Sequence, residues 1–209
     1  MRRLVVALVV LAVVVAGLSV ADVLVRRQVQ TAIAHRIEAR DPGAVATVHI
    51  GSFPFVGRLL VEGTVPDLQA TVTGASAGGL RLASVVVDAH GIRVATSKLL
   101  QRQVVLERIS SGRVTAVISQ TQLDSFLGVP ITLGNATVGV DGFQLPASVA
   151  VTGGRVRIGL PAGHSVSFAL PRLAVLPCVD SATIAPGSLR LTCALSSLPP
   201  ALAGYTVHF

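Results

Sequence analysis

Gly74-Ala75-Ser76-Ala77-Gly78 spells the G-x-S-x-G pattern of hydrolase nucleophile elbows. The chemistry would be acyl transfer, with Ser76 as nucleophile at a sharp strand-to-helix turn. The residues after Gly78 argue against an elbow: Gly79-Leu80-Arg81-Leu82 and Val85-Val86-Val87 read as strand rather than helix. The five His, at 35, 49, 90, 164 and 208, stand apart and include no i, i+4 metal pair. No two of the ten acids are closer than Glu38 and Asp41, so no carboxylate pair for acid–base work is visible. No Gly-rich loop opens a helix to cradle phosphate. Cys178 and Cys193 lack the nearby paired His of a zinc site. In an exported chain the spacing suits a disulfide closing a loop of about 15 residues, worth roughly 3 kcal/mol; the alternative is two buried thiols. No catalytic group and no cofactor is indicated, and weight moves to binding.

What stands out instead is apolar excess, 51% hydrophobic against 13% charged residues. Ser52-Phe53-Pro54-Phe55-Val56-Gly57 is the most unusual local segment, and Pro54 bars it from a central strand. It is either a hydrophobic turn plugging a core, or an apolar lip or membrane-dipping loop. Val85-Val86-Val87, Val104-Val105-Leu106 and Leu99-Leu100 place apolar residues on both faces of a strand. Sheets curled around an apolar ligand need that; so does a thick sandwich core.

The elements that must position these residues begin with the leader. After Arg2-Arg3, residues 4–21 carry no charge and one polar side chain, Ser19. As a helix this run spans roughly 27 Å, close to a bilayer's hydrocarbon core. It reads as a signal peptide cut after Ser19-Val20-Ala21 or as a retained anchor, against the plainer alternative of a buried helix in a soluble domain. Residues 22–40 read as a helix with Val25, Val29, Ile33 and Ile37 on one face, ended by Asp41-Pro42-Gly43. Period-two runs come next, at 59–65, 68–73, 113–118, 155–160, 165–170 and 189–195, predicting strands with one apolar face. Between them 119–127 reads as a short helix, with Ser119 and Gln122 at capping-box spacing. No composition break divides 22–209, so a single domain is expected. Without residues 1–21 the charge is 15 − 10 = +5, and the Arg residues are scattered among few aromatics. That pattern argues against a nucleic-acid platform and is compatible with anionic lipid headgroups.

The apolar leader running into an Arg-containing helix, Gly51-x-Phe53-Pro54-Phe55, Arg58-Leu59-Leu60 with Gly63, and Gln122-Leu123-Asp124-x-Phe126-Leu127 together resemble the actinobacterial LmeA-like phospholipid-binding family, linked to lipomannan maintenance in the mycobacterial envelope. The resemblance implies an exported envelope protein, not an enzyme, that binds phospholipid of phosphatidylinositol type. It implies an α+β fold: a long, curved, mostly antiparallel sheet wrapped on an N-terminal helix plus a short mid-chain helix, similar to tubular lipid-binding modules. From the residues themselves, the candidate lining of an apolar acyl-chain groove is Phe53, Phe55, Val56, Leu59, Phe126, Leu127, Phe143 and Phe168, and Arg58, flanking the Phe-Pro-Phe segment, is the candidate for the headgroup phosphate. Lipid transfer is a further expectation. The rival expectations are a membrane-tethered scaffold without ligand and a serine hydrolase using Ser76.

Overall fold

Where residues alternate apolar and polar, strand pairing stacks the apolar ones on one face, and this shapes most of the chain. The computed structural model describes residues 2–77, 79–99, 103–140, 143–152, 155–161, 164–169, 178–197 and 206–208. Helix α1 (Arg2–Arg40) leads into β1 (Val45–Ile50), α2 (Phe55–Val61), β2 (Thr64–Thr73), the hairpin β3 (Ser76–Ala77) and β4 (Leu80–Arg81), and β5 (Ser84–Val94). Then come α3 (Thr96–Leu99), β6 (Gln103–Arg108), β7 (Ser111–Ser119), α4 (Gln120–Leu127), β8 (Thr132–Leu133), β9 (Thr137–Val140) and β10 (Phe143–Pro146). β11 (Ser148–Thr152), β12 (Arg155–Gly159), β13 (Ser165–Ala169), β14 (Ser181–Ala185), β15 (Ser188–Leu195) and β16 (Thr206–His208) complete the order.

The main sheet runs β1-β2-β5-β7-β15-β14, with β6 joined to the far end of β5 and β16 to β6. Smaller sheets β10-β9-β8 and β11-β12-β13 pack against it. The fold is α+β, with antiparallel sheets that do not close into a barrel.

Register assembles the core. One row crosses the main sheet as Ala46–Val72–Val85–Ala116–Leu191–Ala182. The next runs Val48–Ala70–Val87–Val114–Cys193. Against these rows lie Val156, Ile158 and Phe168 from the β11–β13 sheet, Leu133 and Val138 from the β8–β10 sheet, Leu123 of α4, and Ala34 and Ile37 of α1. The opposite face of the same strands is polar: Thr71–Val86–Thr115–Thr192 in one row, and Gln69–Asp88–Arg113 in the next, where Gln69 donates to Asp88 at 2.8 Å. Val86 therefore sits half-buried among threonines, and the second apolar face suggested by Val85-Val86-Val87 is not formed there. Leu100 lies outside the described residues, as do the side chains of Leu99 and Val104.

Both faces do become apolar farther along β5. Val85, Val87 and Ala89 point one way; after Gly91 the buried residues are Ile92 and Val94. Gly91 has φ +60°, and a Cβ there would stand 2.5 Å from the Ser110 hydroxyl, so the β6–β7 turn closes onto a position only glycine fits. Just beyond, the register shifts between Arg93 and Val94. Ile92, Val94, Val65, Ile50, Ala89, Ile109 and Phe55 form a second buried cluster there.

Residues 59–65 depart from the expected strand. Phe55–Val61 is helical, and β2 starts only at Thr64 after Gly63 at φ +62°. Seven residues are too few for periodicity to separate helix from strand. The short mid-chain helix forms as expected, but Ser119 makes no side-chain cap. Its backbone is engaged in the β7–β15 ladder opposite Ser188, and the Gln120 and Asp124 side chains instead accept the Leu133 and Ile131 N–H groups.

Candidate functional site

The opening amides of a helix have no partner within it, and a buried helix start needs an acceptor from elsewhere. At α2 the N-cap is Pro54, which has no capping group. Asp22, on α1, supplies the acceptor: Phe55 N–H donates to Oδ2 at 3.0 Å and Val56 N–H to Oδ1 at 2.6 Å. Asp22 is 5% exposed. One turn along, Arg26 Nη1 donates to the Ser52 carbonyl at 3.4 Å. Together these bonds fix Ser52–Val56 against α1. The Arg26 Nε and Ser52 Oγ atoms are buried there with no hydrogen-bond partner among the described residues.

The expected lining residues gather in two places. Phe55 is 2% exposed inside the Ile50–Ile92 cluster, with Val56, Leu59 and Val29 packed against it. Phe53, two residues earlier, projects outward at 61% exposure, and Arg58 is exposed on α2. Phe126, Leu127 and Phe168 belong to the larger core instead, where the Phe126 and Phe168 rings meet edge-on at 6.2 Å. Phe143 opens β10, and its side chain lies outside the described residues. A shallow open cavity of about 270 Å³ on the β11–β13 sheet is lined by Ser148, Arg157, His164 and their neighbours, and contains none of these residues.

Ser76 sits in the β3–β4 hairpin, followed by a strand rather than a helix. Its N–H and hydroxyl both point to Asp41, at 2.7 Å from Oδ2 and 3.3 Å from Oδ1. The Ser76 N–H bond holds the Asp41 carboxyl below its ordinary value, against the upward push of desolvation, with Gly43 N–H, the Ser76 hydroxyl and Arg81 adding to the lowering. An ionised carboxylate without an imidazole between it and the hydroxyl ties a loop; it does not build a nucleophile. Cys178 and Cys193 are joined in a disulfide, with Cα atoms 5.3 Å apart. Asp180 lies beside them, but both sulfurs are taken up by the bridge, and its carboxylate accepts Ala194 N–H at 2.6 Å.

The model of the LmeA-like phospholipid-binding family matches residues 16–192. The chain belongs to that family. No curated protein and no solved structure matches it. The match spans the Asp22 contact, the Ile50–Phe55–Ile92 cluster, most of the larger cluster and Cys178. Membership in the LmeA-like family supports phospholipid binding by this chain.

Sequence reasoning passed over Asp22 and Arg26. The packed face of α1 runs through Asp22, Arg26, Val29, Ile33 and Ile37, whereas Val25 is exposed. The spacing of Asp22 and Arg26 from Val29 was the available signal. Choosing the face by hydrophobicity alone put Val25 in its place.

Proposed function

We propose that this chain is an exported cell-envelope protein that binds a phospholipid of phosphatidylinositol type, with acyl chains lodged beneath α1 and α2 against the Ile50–Phe55–Ile92 cluster. What carries the reading is family membership over residues 16–192. The geometry adds an element suited to yield. α2 has only seven residues, too few to persist as a helix alone, and is held by the Asp22 bonds and by Phe55, Val56 and Leu59. Displacing it opens the cluster without disturbing the main sheet. Each CH₂ moved from water contributes about 0.8 kcal/mol, so ten give roughly 8 kcal/mol before ordering costs. Arg58, exposed on α2, and the unpartnered Arg26 Nε and Ser52 Oγ supply donors for a phosphate beside the same segment. Lipid transfer at the envelope membrane, in support of lipoglycan maintenance, is the physiological role in this proposal.

Native mass spectrometry of the full chain, purified with its lipids and then challenged with phosphatidylinositol vesicles, tests this. A lipid-bound mass and uptake are expected; a clean apo mass with no uptake overturns the proposal.

A further inference from the structure

We propose that α1 stays uncut and that the Asp22 end of the domain lies on a lipid bilayer, with Leu24, Val25, Phe53, Leu60 and Val61 seated in the interface; this rests on the proposed envelope function. Single exposed apolar residues are ordinary, whereas a group of them marks a contact surface. Here Phe53 is 61%, Leu24 56%, Val25 39%, Leu60 56% and Val61 85% exposed. All five belong to the two segments that the Asp22 contact joins. Leu24 and Val25 lie within a turn of Asp22, and Phe53 directly precedes the Pro54-Phe55 segment that Asp22 grips. α2 spans only about 10 Å, so Leu60 and Val61 remain within about that distance of its gripped end.

Continuity identifies the occupant. α1 runs unbroken from Arg2 to Arg40, and its residues 4–21 are uncharged. Among the described residues no helix is long and apolar enough to cross a membrane, but the side chains of residues 2–15 are not among them. The described end of the run keeps Leu18 66% and Val20 60% exposed, one turn from the patch. A helix of this length leaves the hydrocarbon core near Ala21, delivering the patch to the headgroup level with no linker between. Arg27 and Arg58, both exposed, add cations near that level and suit anionic headgroups. A cut before Asp22 would strip away the helical turn in front of it and place an α-ammonium at the positive end of the remaining helix.

The chain has no Trp, so F53W and L60W each introduce a lone fluorophore at an exposed site, and V166W, on β13 with Val166 47% exposed, serves as the distant control. Each full chain is expressed, its intact mass is measured from the membrane fraction, and it is reconstituted in phosphatidylcholine–phosphatidylglycerol vesicles containing lipids brominated on the acyl chain. The uncut mass is expected, with F53W and L60W losing most of their emission and V166W keeping its own. A chain beginning at Asp22, or F53W and L60W emission as unquenched as that of V166W, overturns the proposal. Native mass spectrometry of the same preparations separates the two readings. Bound phospholipid without quenching removes only the docking, and quenching without bound phospholipid removes only the binding.

Discussion

Asp22→Ala would remove both acceptors from the start of α2. The Phe55 and Val56 amides donate to the two Asp22 oxygens at 3.0 and 2.6 Å. An N-cap lost to Ala costs about 1 kcal/mol and up to about 2. A buried donor left without any acceptor costs about 1–3 kcal/mol. Phe55 is 2% exposed, so water does not readily replace the carboxylate there, while Val56 is only half-buried and recovers part of its loss. The expected destabilisation is therefore roughly 2–4 kcal/mol. Because α2 cannot persist alone, the damage should be local first, with unwinding over Phe55–Val61 before the main sheet is affected. Denaturant unfolding of the full chain in micelles gives the magnitude, and amide hydrogen exchange gives the location. Asp22→Asn should lie between, since its amide offers one acceptor oxygen where the carboxylate offers two. If Asp22→Ala unfolded within about 0.5 kcal/mol of the parent, as surface substitutions do, and the Phe55 and Val56 amides kept their protection, the carboxylate would not be what holds α2.

Reducing the Cys178–Cys193 bridge, or Cys178→Ser, should cost about 3 kcal/mol for a loop of this length, read as a lower denaturation midpoint with dithiothreitol than without. Asp41 is held below its ordinary pKa, so its contribution is present above the usual carboxylate value of about 3.9 and disappears as pH falls through the lower folded value. The Ser76 amide should therefore exchange faster, after correction for intrinsic rates, in that acid window, and Asp41→Asn should abolish the dependence. Arg58→Gln should weaken binding of phosphatidylinositol vesicles by roughly tenfold or more, as expected for a lost charge-assisted hydrogen bond, while leaving uptake of a zwitterionic lipid little changed; equal loss for both lipids in a flotation assay would remove Arg58 from the headgroup site.

The strands of the main sheet were legible because one face is buried. Val114, Ala116 and Ile118 alternate with residues that face solvent, and the same parity recurs in Leu189, Leu191 and Cys193 directly opposite them. The disulfide was legible from two cysteines at a bridgeable spacing. α2 was not legible, because its helical state depends on an acceptor that arrives from α1, 33 residues away in sequence from Phe55. Nor was the change of buried face along β5. The buried positions run Val85 and Ala89, then change parity to Ile92 and Val94 across Gly91, where the strand meets the Ser110 turn.

Of the phenylalanines expected to line a groove, Phe126 and Phe168 sit in a different cluster from Phe55. Phe126 and Phe168 pack edge-on between α4 and the β11–β13 sheet, and their contact closes the large core. The segment around Phe53 is positioned by polar groups on α1. Asp22 grips α2, Arg26 grips Ser52, and Glu38 accepts the Ala46 N–H at 3.1 Å as β1 begins. Between these ties Val29 packs on one cluster, and Ala34 and Ile37 pack on the other. A helix tied at Asp22, Arg26 and Glu38 and packed on both clusters is a poor moving part, because shifting it breaks charge-assisted bonds and two apolar contacts together. α2, tied at one end and packed on one cluster, can move at the loss of far fewer interactions. Under the proposed function, α2 is therefore the element that would be displaced for a lipid chain to enter, with α1 as the fixed post it closes against.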